Sequence, residues 1–357
     1  MNPMTPEHLQ QKLLLGLPVQ QVQIADLGKV SLDGAVFEQV VFEQTDWQGV
    51  AIGDCTFINC QFADDTDFRG LQIDKINLID CLLPGSLWQT QTLNHCTFTR
   101  CDMSRSQWQQ SDLTLVMLTE CNLKDCDFSG SVIQRSSFAG CDFGGATLQK
   151  ARFNQVCWME TDFSTLNMAG SWFEQVLLMK STFSHQSLRD QRYLRCTFTD
   201  SRFDRVDMAG AQLQECDFSR AVLVKVDMNG LQGLSSLFAH ATLEECRLAG
   251  ANLEGTIWQR TALQQCDFSG ANLKKAHFVE ASLEVCNFSD SNMWLSDLSN
   301  ARINDCDFKL ADLTRANLHG LESVKKHLRV ANLTDARWSD TNRQRGEART
   351  LAMESES

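Results

Sequence analysis

From Phe68 to Leu318, every fifth residue of the chain is a large apolar one. The series has 51 positions, and 50 of them hold Leu, Phe, Ile, Met, Trp or Tyr; Gly233 alone breaks it. The residue two places before each anchor is usually small (Ala, Ser, Thr or Cys), and the one between is often Asp or Asn. Ala251-Asn252-Leu253-Glu254-Gly255 and Ala271-Asn272-Leu273-Lys274-Lys275 state the unit plainly. A period of five fits neither an amphipathic helix at 3.6 nor a half-buried strand at 2. It predicts a repeat architecture, in which each unit buries its apolar residue only against its neighbours.

A second period of 20 lies over the first. Cys246, Cys266, Cys286 and Cys306 are each 20 apart, as are Cys81, Cys101, Cys121 and Cys141, whose column continues as Thr161, Ser181, Ser201 and Ala221. Four units per chemical repeat imply four short sides per turn, with like residues stacked on like in successive turns. Of the 20 Gly, 14 fall two places after an anchor, where a corner favours a residue without a Cβ. None of the four Pro lies beyond residue 84, so the ladder loses no donor through most of the stack.

These units resemble the pentapeptide-repeat family, whose motif is A(D/N)LXX. The resemblance covers about residues 25–320 and implies an all-β solenoid, a right-handed quadrilateral β-helix. Fold follows from such a motif more readily than function, because many roles share the scaffold. An earlier frame runs through Leu27, Leu32, Phe37, Phe42, Trp47, Ile52, Phe57 and Phe62, and the step from Phe62 to Phe68 is six. A one-residue bulge within Ala63–Asp67 is expected to absorb the extra residue. Both frames together give about 15 coils, or roughly 70 Å at the usual strand spacing.

Solenoid ends expose strand edges that need covers. Residues 1–24 are expected to form an N-terminal cap, with a helix over 5–17 that starts at Thr5-Pro6-Glu7, stops at Gly16 and presents Leu9, Leu13, Leu14 and Leu17. The β-helix then occupies 25–320 as one continuous rod. Residues 321–339 form a C-terminal capping segment and last coil, where the motif breaks at Glu322–His327 and resumes at Ala331-Asn332-Leu333 and Ala336-Arg337-Trp338. Residues 340–357 are polar and charged, the composition of a disordered tail.

No apolar run reaches 18 residues, and the N-terminus shows no signal-peptide pattern. A cytoplasmic protein is expected, with export by a signal-peptide-independent route as the other possibility. Of the 15 Cys, 14 occupy the small inward position and only Cys157 does not. That placement reads as free, soft core residues in a reducing compartment, not as disulfides or a zinc site. A net charge of −13 opposes direct nucleic-acid binding. The seven His are scattered, there is no phosphate loop, and a filled solenoid has no cleft in which catalytic groups converge. No enzyme activity, catalytic residue, metal or cofactor is expected.

Function must then lie on outward positions. Met117, Cys157 and Leu177 share one pre-anchor column, Met159 and Met179 share its neighbour, and Val132 and Trp172 belong to an adjoining side. Such a run of apolar residues marks a protein-contact surface, with homodimerisation included. Trp294 and Leu295 form a second apolar outer feature, read as packing against residues 321–330 or as a dimer contact. A basic stretch holds His185, Arg205 and Lys225 in one corner column with Arg189, Arg192 and Arg195 nearby, and Gln186 and Gln191 there suggest a distorted coil. Asp127, Asp207, Asp227, Asp267 and Asp307 form an acidic column, interrupted by Asn167, Asn287 and Arg247. The leading expectation is a scaffold or adaptor that binds proteins along the rod; the resemblance extends it to an accessory or effector-related component of bacterial type VI secretion. The alternative that the resemblance offers is a DNA mimic that binds gyrase or topoisomerase, like the quinolone-resistance proteins.

Overall fold

A computed structural model describes residues 2–323, 328 and 330–339. The Lys325-Lys326-His327 part of the motif break and the expected tail 340–357 lie outside the described residues. The chain is an all-β parallel solenoid of about 15 turns, divided into two compact units, residues 1–182 and 183–357.

In each unit, short strands pair in parallel with the strand one turn on. In the first unit Thr97 pairs with Met117, Met117 with Ser137 and Ser137 with Cys157. In the second, Arg202, Val222, Thr242, Ala262, Ser282 and Arg302 follow one another in register. All 51 anchor positions are buried, and so are the eight of the earlier frame. Aromatic anchors one turn apart lie face to face: Trp88 and Trp108 are 4.8 Å apart and 1° from parallel, and Phe238 and Trp258 are 4.2 Å apart and 2° from parallel. Burying each such side chain contributes about 1.5–3 kcal/mol.

The five-residue unit comes in two forms that differ at the corner. At a closed corner the anchor carbonyl accepts the N–H of the third residue on, as in Ser106 N to Met103 O at 3.1 Å and Ala211 N to Met208 O at 3.0 Å. The Asp or Asn before the anchor caps this turn: Asp102 Oδ1 accepts from Ser104 N at 3.0 Å, and Asp207 Oδ1 from Ala209 N at 3.0 Å. At an open corner the strand is three residues long and that backbone bond is missing. A hydroxyl or thiol from the next turn fills the gap. Ser136 Oγ accepts from Val116 N at 3.0 Å and donates to Leu113 O at 3.4 Å; Cys306 Sγ accepts from Cys286 N at 3.3 Å and donates to Leu283 O at 3.4 Å. Every inward cysteine except Cys126 directly follows an open corner. Most of the inward cysteines likewise place Sγ against an anchor carbonyl about one turn back, as Cys121 does with Phe98 O at 3.3 Å and Cys246 with Leu223 O at 3.4 Å. Both corners place the second residue past the anchor in the left-handed region, where Gly210 has φ 68°, yet Arg105 and Lys225 adopt φ 62° and 55°.

The extra residue before Phe68 is absorbed at its corner: Asp65 takes φ 60°, Thr66 N bonds Ala63 O at 3.3 Å, and the pairing offset becomes 21 at Thr56 and Asn77. At the N-terminus the helix is Pro6–Leu14, capped by Thr5. It ends in a Schellman motif, with Gly16 at φ 62° and Leu17 N bonded to Lys12 O at 3.0 Å. The expected apolar face is corrected here. Only Leu9 is buried, Leu13 is half-buried, and Leu14 and Leu17 are exposed. A helix of two and a half turns presents one inward position per packing row, and Leu17 lies beyond its stop.

Candidate functional site

Met117, Ser137, Cys157 and Leu177 form one outward column of the first unit, each bridged to the next. Ala139 and Met159 are register partners in the column beside it, and Met179 follows, its carbonyl accepting from Glu160 N at 3.0 Å. Cys157, Met159, Leu177 and Met179 thus make a two-by-two apolar quartet on a flat face, with Met117 two turns away beyond Ser137. Met159 and Leu177 are each 40% exposed and Met117 is 50% exposed; Cys157 and Met179 are half-buried.

The seven residues lie on two faces, as their spacing places them. Val132 and Trp172 stand on the adjoining side, around the corner that holds Gln175, and Arg152 separates them in their own column. The surface is therefore a quartet on one face and a lone exposed Trp on another. The premise behind the grouping changes. Capping by the Asp or Asn before an anchor belongs to closed corners, while Met117, Val132, Cys157 and Trp172 all sit on open-corner strands. Of the patch residues, Leu177 is the one in a closed-corner position with a non-capping residue, as Leu82, Leu87, Leu237 and Ile257 are elsewhere.

One corner from Met159 the surface opens into a cleft of about 400 Å³ lined by Gly140, Cys141, Asp142, Phe143, Gly144, Glu160, Thr161, Asp162 and Thr165. Sequence reasoning missed it; its signal was three Gly within residues 140–145. Asp142 is held below the usual carboxylate range by the backbone N–H of Gly144 and by Lys124, which lies 3.0 Å away.

In the second unit the basic stretch is largely neutralised. Arg189 makes a two-pronged contact with Asp207, the nearest pair at 3.0 Å; Arg205 reaches Asp204 at 3.1 Å and Lys225 reaches Glu245 at 3.4 Å. The guanidinium of Arg205 donates to His185 Nε2 at 3.1 Å, so His185 Nδ1 carries the proton shared with Ser184 Oγ at 2.6 Å. Arg192 is exposed on its strand, and Arg195 occupies a left-handed corner at φ 53°. The coil expected to be distorted is regular. Gln191 is buried, and its Oε1 accepts from the hydroxyl of Tyr193 at 3.0 Å. Trp294 is half-buried under Lys274, whose Nζ is 4.8 Å from the ring centre, and Leu295 sits at a corner with φ 57°.

The acidic column is part of the turn chemistry. In the first unit Asp127 Oδ1 accepts from Ser129 N at 2.8 Å. In the second, Asp267 Oδ1 accepts from Ser269 N and from Asn287 Nδ2, both at 3.0 Å, and Asp227 pairs with Arg247 at 2.8 Å. Among the described residues no group of His, Cys, Asp or Glu is arranged to hold a metal ion, and no helix is long and apolar enough to cross a membrane.

Family models of a pentapeptide repeat region match residues 50–128 and 196–271, and models of pentapeptide repeats match 118–161, 266–305 and 295–321. Among solved structures, the chain is similar to a trypsin-treated form of QnrB1, a plasmid-mediated fluoroquinolone resistance protein. Identity is 16% over 63% of this chain and 90% of that one, with a TM-score of 0.20. It is also similar to HetL, a pentapeptide repeat protein involved in heterocyst differentiation regulation in the cyanobacterium Nostoc, at 18% identity over 74% and 87% with a TM-score of 0.17. A third is a pentapeptide repeat protein of the Arabidopsis thaliana thylakoid lumen, at 22% identity over 32% and 70% with a TM-score of 0.17. No curated protein matches.

Proposed function

The chain belongs to the pentapeptide-repeat family, and from that premise we propose that it is a non-enzymatic scaffold that docks other proteins on its outer faces. One observation carries this reading: the apolar quartet of Cys157, Met159, Leu177 and Met179 on a flat, solvent-facing side. These side chains lie outside the core, whose interior their anchors Trp158 and Leu178 already fill. Met is suited to such a surface, because its flexible thioether adapts to a partner's contour. The family models indicate no catalytic family, and the interior is occupied by anchors. A component of a bacterial type VI secretion system is one partner class within the reading; a second copy of the chain is another. The gyrase-binding DNA mimic is the weaker reading, because the carboxylates that would imitate phosphates are engaged in turn caps and ion pairs.

Capture from native cells with the full chain, beside Leu177→Asp, tests the proposal. A protein held by the wild type and lost with Leu177→Asp supports it, and its identity separates secretion component from topoisomerase. Light scattering on the same pair reads self-association. If Leu177→Asp keeps every partner and the oligomeric state, the proposal fails.

A further inference from the structure

Two glycines, Gly140 and Gly144, line the cleft beside the quartet, and Gly145 follows at the corner. Gly140 and Gly145 have φ 62° and 75°, as their corners require. Gly144 has no such need, and the register neighbours of its position carry Lys124 and Ser164. Its missing side chain therefore serves the space and not the backbone. The space is also where Cys141 becomes half-exposed, unlike Cys101 and Cys121 beneath it in the same column.

The cleft wall is acidic beyond its own ion pairs. Lys124 answers Asp142 at 3.0 Å, and Lys180 answers Glu160 at 3.0 Å. Asp162, in the cleft lining, has no cationic partner among the described residues, and neither has Asp125, which lies outside the lining. Asp125 Oδ1 lies close against Gly145, and Asp162 Oδ1 caps Ser164 N at 2.9 Å. An apolar face and an unbalanced acidic cleft thus meet across the single corner Glu160–Thr161.

We infer that this composite surface binds a basic amphipathic segment of a partner protein, whose apolar residues lie on the quartet while a Lys or Arg enters the cleft; the inference rests on the docking reading above. The complement in charge is local as well as global, since the chain carries −13 overall. A purely apolar partner would leave Asp162 desolvated without compensation. A purely basic one would leave the quartet in water.

The test uses the full chain and a fluorescent peptide of about 18 residues, with Leu on one helical face and Lys on the other, beside a version with Glu in place of Lys. The Lys peptide is expected to bind, and its affinity to fall at least tenfold with Met159→Asp and with Gly144→Lys plus Asp162→Asn. Asn at 162 can still cap Ser164. Asp307→Asn, in the other unit, is expected to leave binding unchanged, and circular dichroism checks that each variant folds. Bound peptide is expected to slow alkylation of both Cys141 and Cys157. Equal binding of the Glu peptide, or no change with Gly144→Lys plus Asp162→Asn, overturns the inference. If the captured partner is lost with Met159→Asp but kept with the cleft variants, and only Cys157 is protected, the docking reading stands and the basic segment falls. If neither site matters, both fall.

Discussion

Leu231 fills the space that Gly233 leaves. A Cβ built on Gly233 would stand 3.1 Å from Cδ2 of Leu231 and 3.1 Å from Cδ2 of Leu253, and Leu231 is fully buried. The single break in the anchor series is thus a swap, with the large residue moved to the small position and the small one to the anchor. Leu231→Ala alone should cost about 2–5 kcal/mol through the cavity it opens. Gly233→Leu alone should cost about 1–3 kcal/mol through overpacking. The two together rebuild the regular unit, so denaturant midpoints should show the double variant well above the sum of the singles. Additive losses would mean that the two side chains do not share one volume.

Three tryptophan anchors follow a related rule, while Trp47, with Thr45 two residues earlier, leaves its Nε1 without a partner among the described residues. Trp88, Trp108 and Trp258 donate their indole N–H to Ser86, Ser106 and Thr256 two residues earlier, at 2.8, 2.7 and 2.8 Å. Trp158 has Val156 at that place, and its Nε1 has no partner among the described residues. Ser106→Ala should destabilise the protein by about 1–3 kcal/mol, because it orphans a buried donor. Val156→Thr keeps the shape and supplies an acceptor, and should raise the melting temperature. A lower melting temperature for Val156→Thr would show that Trp158 is already satisfied.

The thiols give a prediction with a definite pH sign. All 15 cysteines are free, and only Cys141 and Cys157 are not buried. Brief alkylation of native protein, read by mass spectrometry, should therefore mark those two first. Burial pushes Cys55 and Cys126 up to about 12 and Cys96 up to about 11, from 9.0. A raised thiol favours the folded state while the unfolded thiol is still protonated. That stability is fully present below pH 9 and is lost as the pH rises through the window from 9 to about 12. Thermal midpoints should fall across that window and fall less when the buried thiols are replaced by Ser. A flat profile would contradict the burial.

Anchors and turn stacking were legible because they repeat: one volume every five residues and one chemistry every 20 leave few alternatives. The two corner forms were not, because Met117 and Leu177 occupy the same motif position and only hydrogen bonding tells their turns apart. The adjoining side of Val132 and Trp172 was legible from the frame, because their anchors Ile133 and Phe173 stand one unit before those of the neighbouring face. The cleft escaped because it is built from absent side chains. Gly144 stands one place after its anchor and not at the corner, and its φ confirms that it has no conformational need to be a Gly.

The acidic column offers the sharpest separation between fold chemistry and function. Asp267 caps Ser269 and receives Asn287, both at 3.0 Å, whereas Asp112 lies on an open-corner strand and meets only the exposed hydroxyl of Thr114 at 3.2 Å. Asp267→Ala should cost about 0.5–2 kcal/mol, the range for losing a side-chain cap, and Asp112→Ala close to nothing. Asp267→Asn retains an oxygen for Ser269 while removing the charge, so its stability should stay near that of the wild type. The same logic applied to Asp127, Asp207, Asp227 and Asp307, each changed to Asn, removes the charge of the column with the caps in place. If partner capture survives that set, the carboxylates serve the turns, and imitation of a phosphate backbone is excluded as their role. Loss of capture with an unchanged melting curve would reverse the conclusion and make the column the binding surface.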